Sequence, residues 1–139
     1  MSSLAPTAPG SQPAILLVGR ILMAALFLNA GLRKAFAYTA TVGYFTKLGF
    51  PMPEAFAVIA PIIEVGGAVL LIVGFKTRYA AWLLALFTLI AACAAHRFWT
   101  FDAAQMANQM NHFMKNFAII GGLLFIAAFG PGRLSIDKS

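Results

Sequence analysis

The stretch that decides the fold is AFAVIAPIIEVGGAVLLIVGF, residues 55–75, in which Glu64 is the one charged side chain. About 20 consecutive apolar residues are enough for a helix to span the hydrocarbon core of a bilayer, so this stretch predicts a transmembrane helix. A charged carboxyl group at that depth costs about 2.5 kcal/mol or more, and such groups almost always face the protein interior. We therefore expect Glu64 to meet a partner rather than lipid.

Three further apolar stretches accompany it, at residues 14–35, 79–95 and 117–129. With 139 residues, of which 61% are hydrophobic and 10% charged, the chain has too little polar surface for a water-soluble globule. We predict an all-α membrane protein, a four-transmembrane-helix bundle over residues 14–131. Residues 1–13 are expected to form a flexible N-terminal lead, and residues 132–139 a short C-terminal tail.

The third and fourth apolar stretches are too short to span a bilayer unless polar neighbours are included. Extending them gives predicted helices at about 14–35, 55–75, 79–99 and 111–129. His112, Lys115 and Asn116 share one helical face by their i, i+3, i+4 spacing, and we expect that face to look inward. The extensions bring six polar or aromatic side chains to one side of the bilayer: His96, Arg97, Trp99, His112, Lys115 and Asn116.

A mainly cationic pocket is predicted where these side chains meet Lys34, with Glu64 as its floor. Two roles remain open for Glu64, an anchor between helices and an acid that handles protons or binds a headgroup. Arg20 shares a face of the first helix with Lys34, and either extends to the interface or reaches Glu64. For Trp99, a place in an interfacial aromatic belt is the more common role.

Several motifs together resemble the DoxX family. The resemblance covers nearly all of the chain after residue 14, and its pieces keep their order and spacing. They are Ala30-Gly-Leu-Arg-Lys34, Ile63-Glu-Val-Gly-Gly67, Gly74-Phe-Lys-Thr-Arg-Tyr-Ala-Ala81, His96 and Gly130-Pro-Gly-Arg-Leu-Ser-Ile-Asp137. The resemblance implies a four-helix protein of the bacterial inner membrane, similar to the membrane subunit of thiosulfate:quinone oxidoreductase.

From the pocket and the resemblance we predict a quinone-interacting membrane subunit of a redox system. His96 or His112 would donate to a quinone carbonyl, Glu64 would relay protons, and Lys34 or Arg97 would stabilise the reduced anion. Glu64 and His96 are thus the candidate catalytic residues. The candidate quinone pocket consists of Lys34, Arg97, His112, Lys115, Asn116 and Trp99. Electrons would come from a redox enzyme partner.

Other functions receive less support from the sequence. A lone cysteine, Cys93, leaves no pair for thiol chemistry, and the histidines lack the spacing of a metal site or other marks of a haem pocket. The net charge of +6 comes from residues near helix ends, where membrane lipids rather than nucleic acid explain it. A transporter would be expected to show an internal repeat. The alternative is a non-catalytic membrane anchor or assembly subunit, with oligomerisation left open.

Both termini are predicted to face the cytoplasm. The end that holds them carries Lys76, Arg78, Arg133 and Lys138. The opposite end carries five basic residues, Arg33, Lys34, Lys47, Arg97 and Lys115, but those assigned to the pocket are left out of the positive-inside comparison.

Overall fold

The computed structural model describes residues 12–137, which form five α-helices and one 3₁₀ turn. These elements are α1 (Gln12–Phe36), α2 (Tyr38–Lys47), α3 (Pro53–Val73), α4 (Thr77–Ala95), the turn (Phe98–Thr100) and α5 (Ala103–Phe129). Four helical stretches are long and apolar enough to cross a membrane: Gln12–Phe36, Pro53–Val73, Thr77–Thr100 and Ala103–Phe129. Within the described range there is no strand, and the predicted all-α, four-span fold is confirmed.

The two ends predicted to be irregular are described only in part. Residues 1–11 of the expected flexible lead lie outside the described residues, whereas its last two, Gln12 and Pro13, begin α1. In the C-terminal tail, residues 138 and 139 also lie outside the described residues, and with them Lys138, which was counted in the topology prediction. Residues 132–137 are described and fold back against the bundle.

Small residues hold the bundle together, with α1 lying along α3 and α4 along α5. Ala68, Ala81 and Leu84 are fully buried in the main core. A Cβ placed on Gly67 of α3 would lie only 2.8 Å from the Leu84 side chain of α4. Because lipid provides no hydrophobic drive for helix association, such close packing is what stabilises the bundle.

The connection between the first two spans contains a helix, α2, that the hydropathy argument did not predict. Thr41 and Phe45, four residues apart, form its buried face. The Thr41 hydroxyl lies 2.9 Å from the carbonyl oxygen of Ala37 and 3.1 Å from that of Lys34. These bonds attach the start of α2 to the end of α1.

The boundary between α4 and α5 also differs from the predicted one. α4 ends at Ala95 rather than at residue 99, and α5 begins at Ala103 rather than near residue 111. The cause is a local signal, because the Asp102 carboxylate accepts the backbone N–H of Gln105 at 3.1 Å and caps α5. Asp-x-x-Gln is a helix-start pattern that hydropathy does not detect.

The segment after α5, residues 130–137, closes the end of the bundle at the turn between α3 and α4. The Asp137 carboxylate accepts the backbone N–H groups of Lys76 and Thr77, both at 2.9 Å. Its own N–H donates to Gly74 at 2.8 Å. Arg78 donates to the carbonyl of Ala128 at 2.8 Å, satisfying an end of α5.

Arg20 belongs to this closed end and does not reach Glu64, so that alternative is wrong. Its guanidinium donates from Nη1 to the carbonyl of Leu71 at 3.0 Å and from Nη2 to the carbonyl of Leu134. The reason is the pairing of α1 with α3, which sets Gly31 beside Glu64 and leaves Arg20 beside the end of α3.

Candidate functional site

A buried ion pair lies at the centre of the candidate site. Lys34 Nζ donates to Glu64 Oε1 at 2.8 Å, joining the end of α1 to the middle of α3. Glu64 is only 2% exposed, while the Lys34 side chain is 26% exposed. One turn before Lys34, Gly31 lets α3 approach closely, since a Cβ there would lie 3.0 Å from Glu64 Cβ. The pair supplies the partner that the sequence required for Glu64.

A cavity of about 410 Å³ opens beside this pair, which we call the main cavity. Its walls are largely aliphatic and aromatic, with Phe27, Ile63 and Phe87 among them. Six polar side chains also line it: Lys34, Tyr44, Glu64, Thr88, His96 and Asn116. Its volume and mixed lining are typical of a site for a small, mostly apolar ligand whose orientation is fixed by a few polar groups.

Helix α2 covers one side of the main cavity. Phe45 packs on Phe50 with ring centroids 5.2 Å apart, and Phe50 packs on Phe56 of α3 at 4.9 Å. This aromatic cluster holds α2 so that Tyr44 also lines the cavity. Burial, and secondly the negative charge of Glu64, raise the pKa of Tyr44 above its usual value. The Tyr44 hydroxyl therefore stays protonated at neutral pH and can donate a hydrogen bond.

His96 lies just beyond the end of α4, and contacts with α5 fix its ring. Its Nδ1 is 2.9 Å from Gln109 Oε1, and its ring stacks on that of His112 with centroids 4.9 Å apart. Nδ1 is placed to donate to that amide oxygen, and in this tautomer Nε2 is a hydrogen-bond acceptor.

A second cavity of about 440 Å³ adjoins the main cavity, and a larger share of its lining is polar. Tyr44 and His96 line both cavities, so they stand between them. Lys47, Arg97 and Gln109 line only the second of the two. The second cavity therefore places basic and hydrogen-bonding side chains next to the main cavity.

The predicted site residues separate into two groups. Glu64, Lys34, His96 and Asn116 line the main cavity. The others lie outside it: Arg97 lines the second cavity, His112 is exposed and stacked on His96, Lys115 is exposed, and Trp99 packs edge-on against Phe98 and Phe113. Of the three side chains expected on one inward face of the last helix, Asn116 alone lines the main cavity.

Two polar side chains of the main cavity were not predicted, Tyr44 and Thr88, and neither was Gln109, which contacts His96 from the second cavity. Tyr44 lies on the unpredicted helix α2, and its neighbours Thr41 and Phe45 carry the i, i+4 signal that would have revealed that helix. Gln109 lies in the part of α5 that the prediction left in a loop. Thr88 gives no sequence signal, because a single threonine in an apolar helix can satisfy its hydroxyl within that helix. Here the hydroxyl donates to the carbonyl of Leu84 at 2.7 Å.

Comparison with known proteins decides the family. The DoxX family model matches residues 15–97, more than half of the chain. The chain belongs to the DoxX family. Inner membrane protein YphA of Escherichia coli (strain K12) is 37% identical over 128 residues, which cover 92% of this chain and 91% of YphA. Inner membrane protein YqjF of the same strain is 38% identical over 122 residues, 88% of each chain.

A more distant relative of this DoxX-family chain is ER-derived vesicles protein ERV29 of Saccharomyces cerevisiae. It is 27% identical over 124 residues, which are 89% of this chain but only 33% of ERV29. No solved structure matches the chain. The bacterial relatives and the four apolar spans show that this DoxX-family member is a multi-pass inner membrane protein.

Proposed function

We propose that this DoxX-family protein binds the headgroup of a membrane quinone in the main cavity, as the quinone-interacting membrane subunit of a redox system. The observation that carries the proposal is a Lys34–Glu64 ion pair, with its carboxylate buried, in the wall of an otherwise largely apolar cavity of about 410 Å³. A quinone has a flat apolar ring, two carbonyl oxygens and an apolar tail. It needs apolar walls with a few polar groups, and the cavity supplies both.

The polar groups of the main cavity fit such a headgroup in number and kind. The Tyr44 hydroxyl, the Lys34 ammonium group and the Asn116 amide can donate to carbonyl oxygens. His96 Nε2 can accept the proton of a reduced ring hydroxyl, given the hydrogen bond that fixes Nδ1. A bound quinone would supply two-electron, two-proton redox chemistry, with the electrons exchanged with a partner enzyme.

Glu64 and Lys34 would hold this site in a charge-neutral state. Glu64 would relay protons only if its contact with Lys34 loosens, and Lys34 would then be free to stabilise negative charge on a quinone oxygen. Both termini are proposed to face the cytoplasm, which places the main cavity toward the opposite interface. Lys34 supports that orientation, because a lysine paired with Glu64 counts little as a topology signal.

The test is equilibrium binding of decylubiquinone to the purified protein in lipid nanodiscs. Tyr44→Phe removes one donor and should weaken binding about tenfold, which corresponds to one hydrogen bond of about 1.4 kcal/mol. Tyr38→Phe is the matched control, since Tyr38 belongs to the same helix but does not line the main cavity. It should bind as the wild type does.

A second pair of variants tests the cavity itself. Ala91→Leu adds volume to the cavity wall and should reduce binding further than Tyr44→Phe, whereas Cys93→Leu, on the exposed side of the same helix, should leave it unchanged. Non-saturable binding in the wild type would overturn the proposal. Equal binding by Ala91→Leu and the wild type would overturn it as well.

The runner-up function is a non-catalytic anchor or assembly subunit, and an exposed face of α5 favours it. Met106, Met110 and Met114 recur every four residues along that face, and they are 38%, 39% and 60% exposed. Flexible, polarisable methionine side chains suit an adaptable protein contact. This function predicts stable co-purification with a redox enzyme from the native host, with His96→Ala having no effect on turnover of the complex.

A further inference from the structure

A separate groove lies between α1 and α5, at the end of the bundle closed by residues 130–137. Its volume is about 640 Å³. Its lining is mainly apolar, from Ile15, Leu16 and Met23 on α1 to Phe125 and Phe129 on α5. The main cavity has no lining residue in common with it. The groove lies between two membrane-spanning helices and has mainly apolar walls, so it is suited to bind a hydrocarbon chain.

Among the residues that the structure describes, one charged side chain, Arg20, lines this groove. The residue is only 1% exposed, and two of its nitrogens donate to the carbonyls of Leu71 and Leu134. Its Nε has no hydrogen-bond partner within residues 12–137. The same described range contains no carboxylate within salt-bridge distance of Arg20, and Asp137 acts on it only from further away. A buried guanidinium with an unused donor and no counter-ion in contact is costly unless an anion approaches.

We propose that this groove binds an anionic phospholipid, with the phosphate near Arg20 and an acyl chain along the apolar walls. The charged headgroup would offset the buried guanidinium charge from the groove side. The site is independent of the proposed quinone function, because it uses a different cavity at the other end of the helices.

The surroundings favour an anionic headgroup over a zwitterionic one. Lys76 and Arg78 lie at the same end of the bundle, at the start of α4, and are exposed. Basic side chains between and beside transmembrane helices attract anionic headgroups, at about 1 kcal/mol for each Lys or Arg near the membrane surface. A zwitterionic headgroup carries its own positive charge and gains less from this end of the bundle.

Glycine positions allow a test that leaves Arg20 in place. A Cβ built on Gly19, which lines the groove, meets nothing within 4 Å, so the side chain of Gly19→Leu starts in open space and should occupy part of the groove. Gly121→Leu is the matched control, because a Cβ there also meets nothing within 4 Å and the residue does not line the groove. Both substitutions replace a helical glycine by a better helix former.

The measurement is native mass spectrometry of the protein after exchange into nanodiscs of equal parts phosphatidylglycerol and phosphatidylethanolamine. The wild type and Gly121→Leu should retain phosphatidylglycerol in preference to phosphatidylethanolamine. Gly19→Leu should retain at least about tenfold less phosphatidylglycerol, equivalent to a loss of about 1.4 kcal/mol. Circular dichroism should show the same helical content in all three proteins, and decylubiquinone binding should be the same in Gly19→Leu as in the wild type.

Three results would overturn the lipid site. The first is equal retention of the two lipids by the wild type, and the second is unchanged retention of phosphatidylglycerol by Gly19→Leu. The third is displacement of phosphatidylglycerol by oleate at equal concentration, which would assign the groove to a fatty acid.

Discussion

Breaking the ion pair from its two sides should have unequal effects on stability. Lys34→Met leaves the Glu64 carboxylate, 2% exposed, without its partner in a membrane-spanning helix. An uncompensated buried charge of this kind costs about 3–5 kcal/mol. Glu64→Gln leaves Lys34, whose side chain is 26% exposed and can extend toward the interface, and Gln keeps an oxygen that accepts its hydrogen bond. That change should cost about 1 kcal/mol.

The assay is equilibrium unfolding in mixed micelles, followed by far-ultraviolet circular dichroism. In the double variant no unpaired carboxylate remains, so its stability should be close to that of Glu64→Gln rather than to the sum of the single effects. Arg33→Met is the control, since Arg33 is an exposed basic residue next to Lys34 and should change stability by less than about 0.5 kcal/mol. Equal costs for the two single variants, or simple additivity in the double variant, would show that burial of the Glu64 carboxylate does not set the cost of breaking the pair.

Three further outcomes follow from other parts of the molecule. Gly67→Val should destabilise the protein by about 1–3 kcal/mol in the same assay, because its side chain would collide with Leu84. Gly66→Val is the control and should show no such loss of stability, since a Cβ there meets nothing within 4 Å. The hydrogen bond from the backbone N–H of Thr77 is the largest of the causes that hold the pKa of Asp137 below its usual range. The wild type should therefore be more stable than Asp137→Asn at neutral pH, and this advantage should disappear as the pH falls below about 4. A constant advantage down to low pH would contradict this prediction. A reporter active only in the cytoplasm, fused after the C-terminal residue, should give signal in cells; signal from a periplasmic reporter instead would reverse the proposed orientation.

The sequence was sufficient for the four spans and for part of the candidate site. Long apolar stretches fix membrane helices because the bilayer imposes a minimum length, and the antiparallel order of neighbouring spans brings the Lys34 end of α1 to the same end of the bundle as the start of α3, the helix that carries Glu64. Hydropathy is insensitive to short amphipathic helices, and therefore α2 and Tyr44 were missed. It also failed to place the start of α5, which the Asp102 cap determines.

Other features depended on rotation of the helices about their axes, which spacing alone does not set. His112, Lys115 and Asn116 share one face in the sequence, yet only Asn116 lines the main cavity. The helical position of Arg20 left two alternatives, the membrane interface or Glu64. Its guanidinium in fact donates to the backbone carbonyls of Leu71 and Leu134. Backbone acceptors are the same for every residue type, so no sequence pattern marks them.

The contact between Arg20 and Leu134 joins residues 114 positions apart in the chain. During synthesis, α1 therefore enters the membrane with a guanidinium group whose protein partners do not yet exist. Leu71 arrives with α3, but Leu134 follows only after all the remaining helices have been made. Until then the insertion machinery or surrounding lipid phosphates must accommodate the charge. Biogenesis of this small bundle should accordingly be sensitive to the lipid composition of the membrane into which it is inserted.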